Sequence, residues 1–395
     1  MKVVQINAVC GKSSTGRTTK ELSQVLTQND IENLILSTSD CLDENHVHVG
    51  GKAENKLHAL FARVLGYDSH YSYFSTKKII KTLKNYQPDI VHLRNLHGNY
   101  VNVPKLLKYL AKNDIATVIT LHDCWFFTGK CTHYTVQKCY KWQTGCKHCP
   151  QLKKDIPSLI FDRTEKQYKE KKEGFLSIPR LAVVGVSDWV TNEAKKSFLK
   201  DAKIVKRIYN WIDLDVFYPR EVEKRDKFSV LCIGAGWNEN SSKLKELIKL
   251  ASIIPSDMEI LLAGGIADNV ELPNNVKKVG YISSTDELAK LYSSVDAYVH
   301  LSREDTFGKV IAEALACGTP AIVYNSTACP ELIGKGCGYV VETGNAISIV
   351  EKLREIKLNG KSSYLNNCVR FVKDNFEKKN LIDETVELYK DICEK

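Results

Sequence analysis

The sequence predicts an α/β protein made of two doubly wound domains, each with a parallel sheet covered by helices on both faces. Three observations support this fold class. Short apolar segments alternate with segments of helical periodicity, which is typical of parallel sheets with helical crossovers. This alternation stops at a charged stretch, residues 220–226, and then starts again. The length of 395 residues suits two domains of ordinary size.

The first half reads as strands rich in β-branched residues, each followed by a turn or a helix. In one helix Leu106, Leu107 and Leu110 share a face, and Ser187 is a good N-cap for another. The predicted strands are residues 2–8, 34–37, 89–93, 116–121 and 181–186, and the predicted helices are residues 18–29, 104–113 and 189–198.

The second half repeats the pattern and ends in amphipathic helices. Its predicted strands are residues 228–233, 259–263, 297–301 and 320–324, and its predicted helices are residues 243–254, 285–293, 308–316, 364–376 and 381–392. We therefore predict domains at residues 1–217, with a Cys-rich insertion at about 124–150, and at residues 226–372. Residues 373–395 are expected to form a helix that crosses back to the first domain.

The composition excludes several classes of protein. With 43% hydrophobic and 26% charged residues, most of the chain is expected to fold. No apolar run reaches the length of a membrane-spanning helix, and the N-terminal run is too short for a secretory signal. We expect a cytoplasmic protein whose 13 Cys residues stay reduced. The net charge of +9 suits a phosphate-bearing ligand or an anionic membrane surface and does not require nucleic acid.

The segment from Ser302 to Pro320 carries the strongest functional signal. It follows a predicted strand and opens a predicted helix, with Asp305 in the loop and Glu313 inside the helix. Carboxylates so placed can accept hydrogen bonds from sugar hydroxyls, while the free amides at the helix start can face a diphosphate.

This segment resembles the retaining glycosyltransferases of family 4, which have the GT-B fold of two Rossmann-like domains facing across a cleft. Their signature is Glu-x7-Glu followed by Ala, a small residue, Gly and Pro, and here the first Glu is replaced by Asp305. The resemblance implies that Asp305 contacts the donor sugar, that Glu313 holds the ribose, and that Phe307 and Gly308 belong to the donor site. The alternative is that Asp305 caps the helix and Glu313 makes a surface ion pair.

Polar residues also follow the predicted strands of the first half. Gly16 lies in the first predicted strand-to-helix loop and resembles the ligand-contacting Gly of the family. His122 follows a strand and resembles a family His near the anomeric centre and C6 hydroxyl of the donor. Asp123 either orients that imidazole or caps the next turn. Asn95 and His97 are candidates for acceptor binding, or else form a structural turn.

The expected diphosphate site departs from the family pattern of Arg-x4-Lys-Gly. Lys243 is the cation left after the first strand of the second half, and it reads either as a phosphate ligand or as a surface Lys. Arg303 and Lys309 are nearby in sequence and are candidates to supply the missing charge.

Five Cys residues fall between positions 124 and 149, and four of them have metal-ligand spacing. Cys146 and Cys149 form a Cys-x2-Cys knuckle, and Cys131 and Cys139 complete four thiolates for a structural zinc. The alternatives are free thiols or, in an oxidising compartment, a disulfide. Catalysis is expected to need no metal or other cofactor, since family transfer needs none.

These features predict a retaining, hexosyltransferase-type enzyme that moves a sugar from a UDP- or GDP-sugar to an oligosaccharide or lipid-linked acceptor. The resemblance is to enzymes of capsule, exopolysaccharide and lipopolysaccharide synthesis. Basic stretches at residues 77–84 and 153–172 are either solvated helix faces or contacts with the inner face of the membrane. The alternative functions are a non-catalytic nucleotide-sugar-binding relative and a GT-B nucleotide-sugar epimerase.

Overall fold

The computed structural model describes residues 1–41, 43–223, 225–239 and 241–394, which divide into two compact units. Unit 1 contains Met1–Ile208 together with the chain from Ile382 onward, and unit 2 contains Tyr209–Leu381. Each unit has one parallel sheet with helical crossovers. The predicted fold class is therefore confirmed.

Unit 1 contains a seven-stranded parallel sheet in the order β3-β2-β1-β4-β5-β6-β7. Its strands are β1 (Lys2–Ile6), β2 (Glu32–Ser37), β3 (His46–His48), β4 (Ile90–Leu93), β5 (Ala116–Leu121), β6 (Leu181–Gly185) and β7 (Ile204–Arg207). Its helices are α1 (Ser13–Gln28), α2 (Lys52–Leu65), α3 (Tyr73–Tyr86), α4 (Val103–Lys112), α5 (Thr164–Leu176) and α6 (Asp188–Lys195).

Unit 2 contains a six-stranded parallel sheet in the order β10-β9-β8-β11-β12-β13. Its strands are β8 (Phe228–Trp237), β9 (Met258–Ile266), β10 (Val276–Gly280), β11 (Ala297–His300), β12 (Ala321–Tyr324) and β13 (Gly338–Val341). Its helices are α7 (Ser242–Ala251), α8 (Thr285–Ser294), α9 (Lys309–Ala316), α10 (Ala346–Asn359) and α11 (Ser362–Phe376), and the last helix of the chain is α12 (Lys378–Cys393). No helix in the described part of the chain is long and apolar enough to cross a bilayer.

The central strands form the cores because they are apolar on both faces. Every residue of β4, β5, β11 and β12 is buried, as expected for parallel strands covered on both sides. Helix starts are fixed by side-chain caps that satisfy free amides. Asn102 accepts from the amide of Lys105 at 3.0 Å, and Ser187 accepts from that of Val190 at 3.2 Å.

The division between the units comes at Ile208, earlier than the predicted domain end at residue 217. Tyr209 already packs against unit 2, because its ring centroid lies 5.1 Å from that of Phe376. The chain returns to unit 1 at Ile382, where the Tyr389 hydroxyl bonds to Nδ1 of His92 at 2.6 Å.

Several elements were not predicted from the sequence. They are α2, α10 and the edge or short strands β3, β7, β10 and β13. β8 also continues past the predicted strand end at residue 233 to Trp237, with a shift of its register against β9 between Ile233 and Gly236. Gly16 lies in the first turns of α1 rather than in a loop, so that prediction was wrong.

Candidate active site

The candidate donor site of unit 2 is built on the loop between β11 and α9. Oδ2 of Asp305 accepts a hydrogen bond from Nε2 of His300, at 2.8 Å, and Nδ1 of that ring faces the Tyr298 hydroxyl at 2.9 Å. The Asp305 amide donates to Oγ1 of Thr327 at 2.9 Å. The carboxylate is thus held in one orientation at the carboxyl end of β11, where ligands bind in open α/β sheets.

The charge of Asp305 is stabilised by its neighbours. Burial opposes ionisation, but the hydrogen bond and charge of His300 and the nearby ammonium of Lys243 outweigh burial and lower the pKa of Asp305 to about 2. Lys243 lies in the first turn of α7. The structure therefore brings two predicted donor-site residues, Asp305 and Lys243, within electrostatic reach of each other.

Glu313 is fully enclosed on α9, with no solvent exposure. Its carboxylate accepts a hydrogen bond from the Tyr292 hydroxyl at 3.2 Å. Burial, followed by the charge of Glu313, raises the pKa of Tyr292 well above its ordinary value. The alternative of a surface ion pair is excluded for Glu313, because the side chain does not reach solvent.

The two other residues predicted for the donor site, Phe307 and Gly308, shape the start of α9. Gly308 caps α9 with φ of 86°, and a Cβ there would lie 2.8 Å from Cδ1 of Ile311. Phe307 is buried, and its ring centroid lies 5.3 Å from that of Phe376. Both residues shape the loop that presents the α9 amides.

The two other candidate cations, Arg303 and Lys309, have different surroundings. The guanidinium of Arg303 is paired with the carboxylate of Glu246, which also accepts from the Tyr324 hydroxyl at 3.1 Å. Lys309 is buried at the start of α9. Arg303 is thus largely neutralised by an acid of its own unit.

In unit 1, His122 follows β5 and faces a buried Arg. Nη2 of Arg94 lies 3.3 Å from Nε2 of His122 and 2.9 Å from Oγ1 of Thr18. Nη1 of Arg94 donates to Gln5 at 3.2 Å. Guanidinium groups only donate hydrogen bonds, so Nε2 of His122 is the acceptor.

Asp123 does not orient His122. Its Oδ2 pairs with Nε2 of His97 at 2.7 Å, and its Oδ1 accepts from the Trp125 amide at 2.8 Å, as the capping alternative predicted. Burial alone would lower the pKa of His97, but the Asp123 carboxylate outweighs it and raises that pKa. Asn95 accepts from the His97 amide at 3.2 Å, which holds the two acceptor-site candidates together.

Gly16 is buried in α1 against the loop that precedes it. A Cβ at this position would lie 3.3 Å from the backbone of Cys10 and of Gly11, and the Gly11 amide donates to the Gly16 carbonyl at 2.9 Å. Gly16 thus allows the helix to approach the β1–α1 loop closely.

The predicted metal ligands line one small cavity between β5 and α5, formed in part by Cys131, Cys139, Cys146 and Cys149. The sulfur atoms of Cys131 and Cys149 are 4.0 Å apart. In the described part of the chain, groups of three potential metal-ligand atoms within 4.8 Å of one another lie around Cys10 and around Asp305. Among the four Cys residues of this cavity, no three are that close together.

One disulfide departs from the expectation of reduced thiols. The sulfur atoms of Cys10 and Cys41 are bonded, which joins the β1–α1 loop to the loop after β2.

Arg94 and His300 are site residues that the sequence analysis did not single out. The available signal was a charged or imidazole side chain at the end of an otherwise apolar strand, as in Ile90–Leu93 followed by Arg94. Such a residue is buried in the sheet edge and needs a polar partner.

Known sequences resemble large parts of the chain. The chain is 24% identical over 276 residues to the putative colanic acid biosynthesis glycosyl transferase WcaC of Escherichia coli, covering 67% of this chain and 66% of the relative. It is 23% identical to the N-acetyl-alpha-D-glucosaminyl L-malate synthase of Bacillus anthracis, covering 53% and 59%. The matches thus span slightly less than two thirds of these relatives.

Solved structures share the fold at low identity. Sucrose-phosphate synthase from Thermosynechococcus elongatus aligns with a TM-score of 0.72 at 15% identity, covering 99% of this chain and 98% of the other. Anabaena Alr3699/HepE in complex with UDP-glucose aligns with a TM-score of 0.64 at 15% identity, covering 98% and 99%. The fold is that of the GT-B glycosyltransferases.

The family profiles cover both units. Residues 220–374 match the glycosyl transferases group 1. Residues 15–216, more than half of the chain, match Glycosyltransferase Family 4. With the placement of Asp305 and Glu313 at the carboxyl edge of a parallel sheet, these matches show that the chain belongs to glycosyltransferase family 4.

Proposed function

We propose that this chain transfers a sugar from a nucleotide-diphosphate sugar to a saccharide or lipid-linked saccharide during cell-surface polysaccharide synthesis, with retention at the anomeric carbon. The observation that supports it best is the ionised Asp305, which is held by His300 beside Lys243 next to the start of α9. The matched relatives that act in colanic acid and O-antigen synthesis support the same class of reaction.

The donor site has the groups that departure of a diphosphate requires. The free amides at the start of α9 and the Lys243 ammonium would stabilise the negative charge of the leaving group. Asp305, ionised at neutral pH because its pKa is about 2, would stabilise positive charge that develops on the sugar ring. The role at the ribose that the family resemblance implies for Glu313 would require its enclosed carboxylate to turn away from the Tyr292 hydroxyl.

His122 would act as a hydrogen-bond donor to the sugar. Because Arg94 donates to its Nε2, the neutral ring carries its proton on Nδ1. In this proposal the Nδ1–H of His122 is the group that would donate to a hydroxyl of the substrate.

A panel of UDP- and GDP-sugars, scored by thermal shift, tests the donor. Ligand binding raises the melting temperature by mass action, and we expect one donor to exceed all others and then to support glycoside formation. NMR of that glycoside should show the anomeric configuration of the donor. Binding without turnover would favour a binding protein, a free epimerised nucleotide-sugar would favour an epimerase, and an inverted product would refute retention.

A lipid-linked acceptor and contact with a membrane are supported by an exposed apolar surface on unit 1. We define this apolar surface as Leu57, Leu60, Phe61, Leu65 and residues 159–161, all exposed. Its two segments lie side by side, because the Leu159 amide donates to the Arg63 carbonyl at 2.7 Å. Large exposed apolar patches mark interaction sites.

Basic side chains surround this apolar surface. Lys52, Lys56 and Arg63 are exposed on α2, and Arg163 and Lys166 are exposed beside residues 159–161. An apolar face edged with cations suits the interface of an anionic membrane, where lipids of opposite charge add to apolar burial.

Vesicle sedimentation tests the membrane contact. We expect binding to phosphatidylglycerol vesicles and little to phosphatidylcholine vesicles, and we expect Leu60→Glu with Phe61→Glu to weaken binding about tenfold or more. The matched control is Leu358→Glu, because Leu358 is an exposed Leu of unit 2. Equal binding by both variants would refute this use of the apolar surface, whereas the donor experiment tests the reaction independently.

A further inference from the structure

We propose that the loop between β5 and α5 holds one structural zinc ion, with the thiolates of Cys131, Cys139, Cys146 and Cys149 as ligands. The four residues are spread over residues 131–149 of the loop, yet all of them line the same cavity. Four Cys side chains around a single small space are the ligand set of structural zinc sites.

The cavity has room for a single ion. Its volume is about 20 Å³, close to that of one water-sized atom. The Cys131 and Cys149 sulfur atoms are 4.0 Å apart, near the ~3.8 Å edge of a tetrahedron with zinc–sulfur bonds of about 2.3 Å. These two thiols form one edge of such a tetrahedron, and Cys139 and Cys146, which line the same cavity, would draw closer when the ion binds.

The surrounding backbone and charges suit thiolate ligands. The Gly129 amide donates to Sγ of Cys146 at 3.2 Å, and a Cβ on Gly129 would lie 2.9 Å from Cβ of Cys146. Such amide–sulfur bonds orient metal ligands from outside the first coordination shell. Lys130, Lys141 and Lys147 also line the cavity, and their positive charge offsets that of four thiolates.

The loop is held by scattered hydrogen bonds, such as those from the Lys130 ammonium to the Leu152 carbonyl and from the Thr132 amide to Asp155. Of residues 122–163, regular structure in the described chain amounts to the 3₁₀ turn Lys141–Gln143, and loops of this length without a tie are uncommon in compact domains. Trp142 anchors one side, with its ring 4.9 Å from that of Phe127. A zinc ion would fix the other side of the loop, which begins at His122.

Metal analysis of the protein tests the site directly. The full chain, purified without a metal-affinity tag or chelator from zinc-supplemented cells, should contain about one zinc per chain. Cobalt substitution should give the ligand-field spectrum of tetrahedral thiolate coordination. Zinc well below one per chain, with four alkylatable thiols or with a Cys131–Cys149 disulfide in the intact mass, would overturn the proposal.

Matched variants assign the ligands. Cys146→Ser and Cys149→Ser should each lower the zinc content at least severalfold, whereas Cys393→Ser, which changes another partly exposed free thiol, should leave it unchanged. If the ligand variants fold poorly, removing zinc from the wild-type chain with a chelator should still lower its melting temperature, and readdition of zinc should restore it. An unchanged melting temperature after zinc removal would contradict a structural role.

Discussion

The carboxyl edges of the two sheets hold the same type of side chain in opposite electrostatic surroundings. In unit 1, Nε2 of His122 faces the guanidinium of Arg94 at 3.3 Å. In unit 2, Nε2 of His300 faces the carboxylate of Asp305 at 2.8 Å. Because guanidinium donates and carboxylate accepts, His122 presents an acceptor to its partner, whereas His300 presents a donor.

The two imidazoles differ in burial, and this difference indicates different roles. His300 is almost fully buried and serves the carboxylate beside it, so Asp305 is the group left to meet a ligand. His122 is half-buried, and its partner Arg94 is buried beneath it. In unit 1 the imidazole is thus the more exposed member of the pair, and the buried guanidinium supports it.

Removing the charge of Asp305 should have the largest effect. We expect Asp305→Asn to lower kcat by about 10²- to 10³-fold, as expected for loss of one preorganised electrostatic contact in the transition state. Initial rates with the preferred donor measure this loss, and thermal melting checks the fold.

Two variants sharpen this result. Asp305→Glu restores the residue that the family pattern has and should retain more activity than Asp305→Asn. Asp268→Asn changes an exposed acid of unit 2 and should leave kcat unchanged. Equal rates for Asp305→Asn and wild type would remove Asp305 from the reaction.

Arg94→Met should have the next largest effect, because it leaves His122 without the donor that fixes its tautomer. We expect a loss in kcat of about 10- to 100-fold. The deciding measurement is a double-mutant cycle with His122→Ala, in which the Arg94→Met loss should largely disappear.

The control for Arg94 is Arg180→Met, which breaks an exposed pair with Asp114 and should not alter the rate. If Arg94→Met costs as much in the His122→Ala background as in wild type, Arg94 acts on the fold and not through His122. Melting temperatures of all four proteins separate the two effects.

The same contrast explains which parts of the site were predictable. His300 and Asp305 are five residues apart, and Asp305 and Glu313 share one motif, so a pattern in a single segment finds them. Arg94 and His122 are 28 residues apart and meet because β4 and β5 are neighbours. A single sequence gives strand periodicity but no contact between strand ends, and so the pairing of Asp123 with His97 was not foreseen beside its capping of the next turn.

The secondary-structure elements also differ in how well they could be predicted from the sequence. Apolar, β-branched segments such as β5 were predicted to the residue, because a strand buried on both faces leaves a continuous apolar run. The helix α2 was not predicted, because its large apolar residues face outward and its buried residues are His58 and Ala62. The apolar residues of α2 therefore mark an exposed surface, and their spacing does not indicate a face packed on the core.

Of the Asp305, Arg94 and Lys243 variants, Lys243→Met should have the smallest effect. It tests whether unit 2 needs a side-chain cation to bind the diphosphate. Since Arg303 is paired with Glu246, the Lys243 ammonium is the family-pattern cation that the structure places beside Asp305. Loss of one charged phosphate contact of about 1.4 kcal/mol should raise the donor KM about tenfold. Lys245→Met, an exposed neighbour on α7, is the matched control. An unchanged donor KM in Lys243→Met would contradict a phosphate contact by Lys243. The amides at the start of α9 would then be the groups of unit 2 expected to bind the diphosphate.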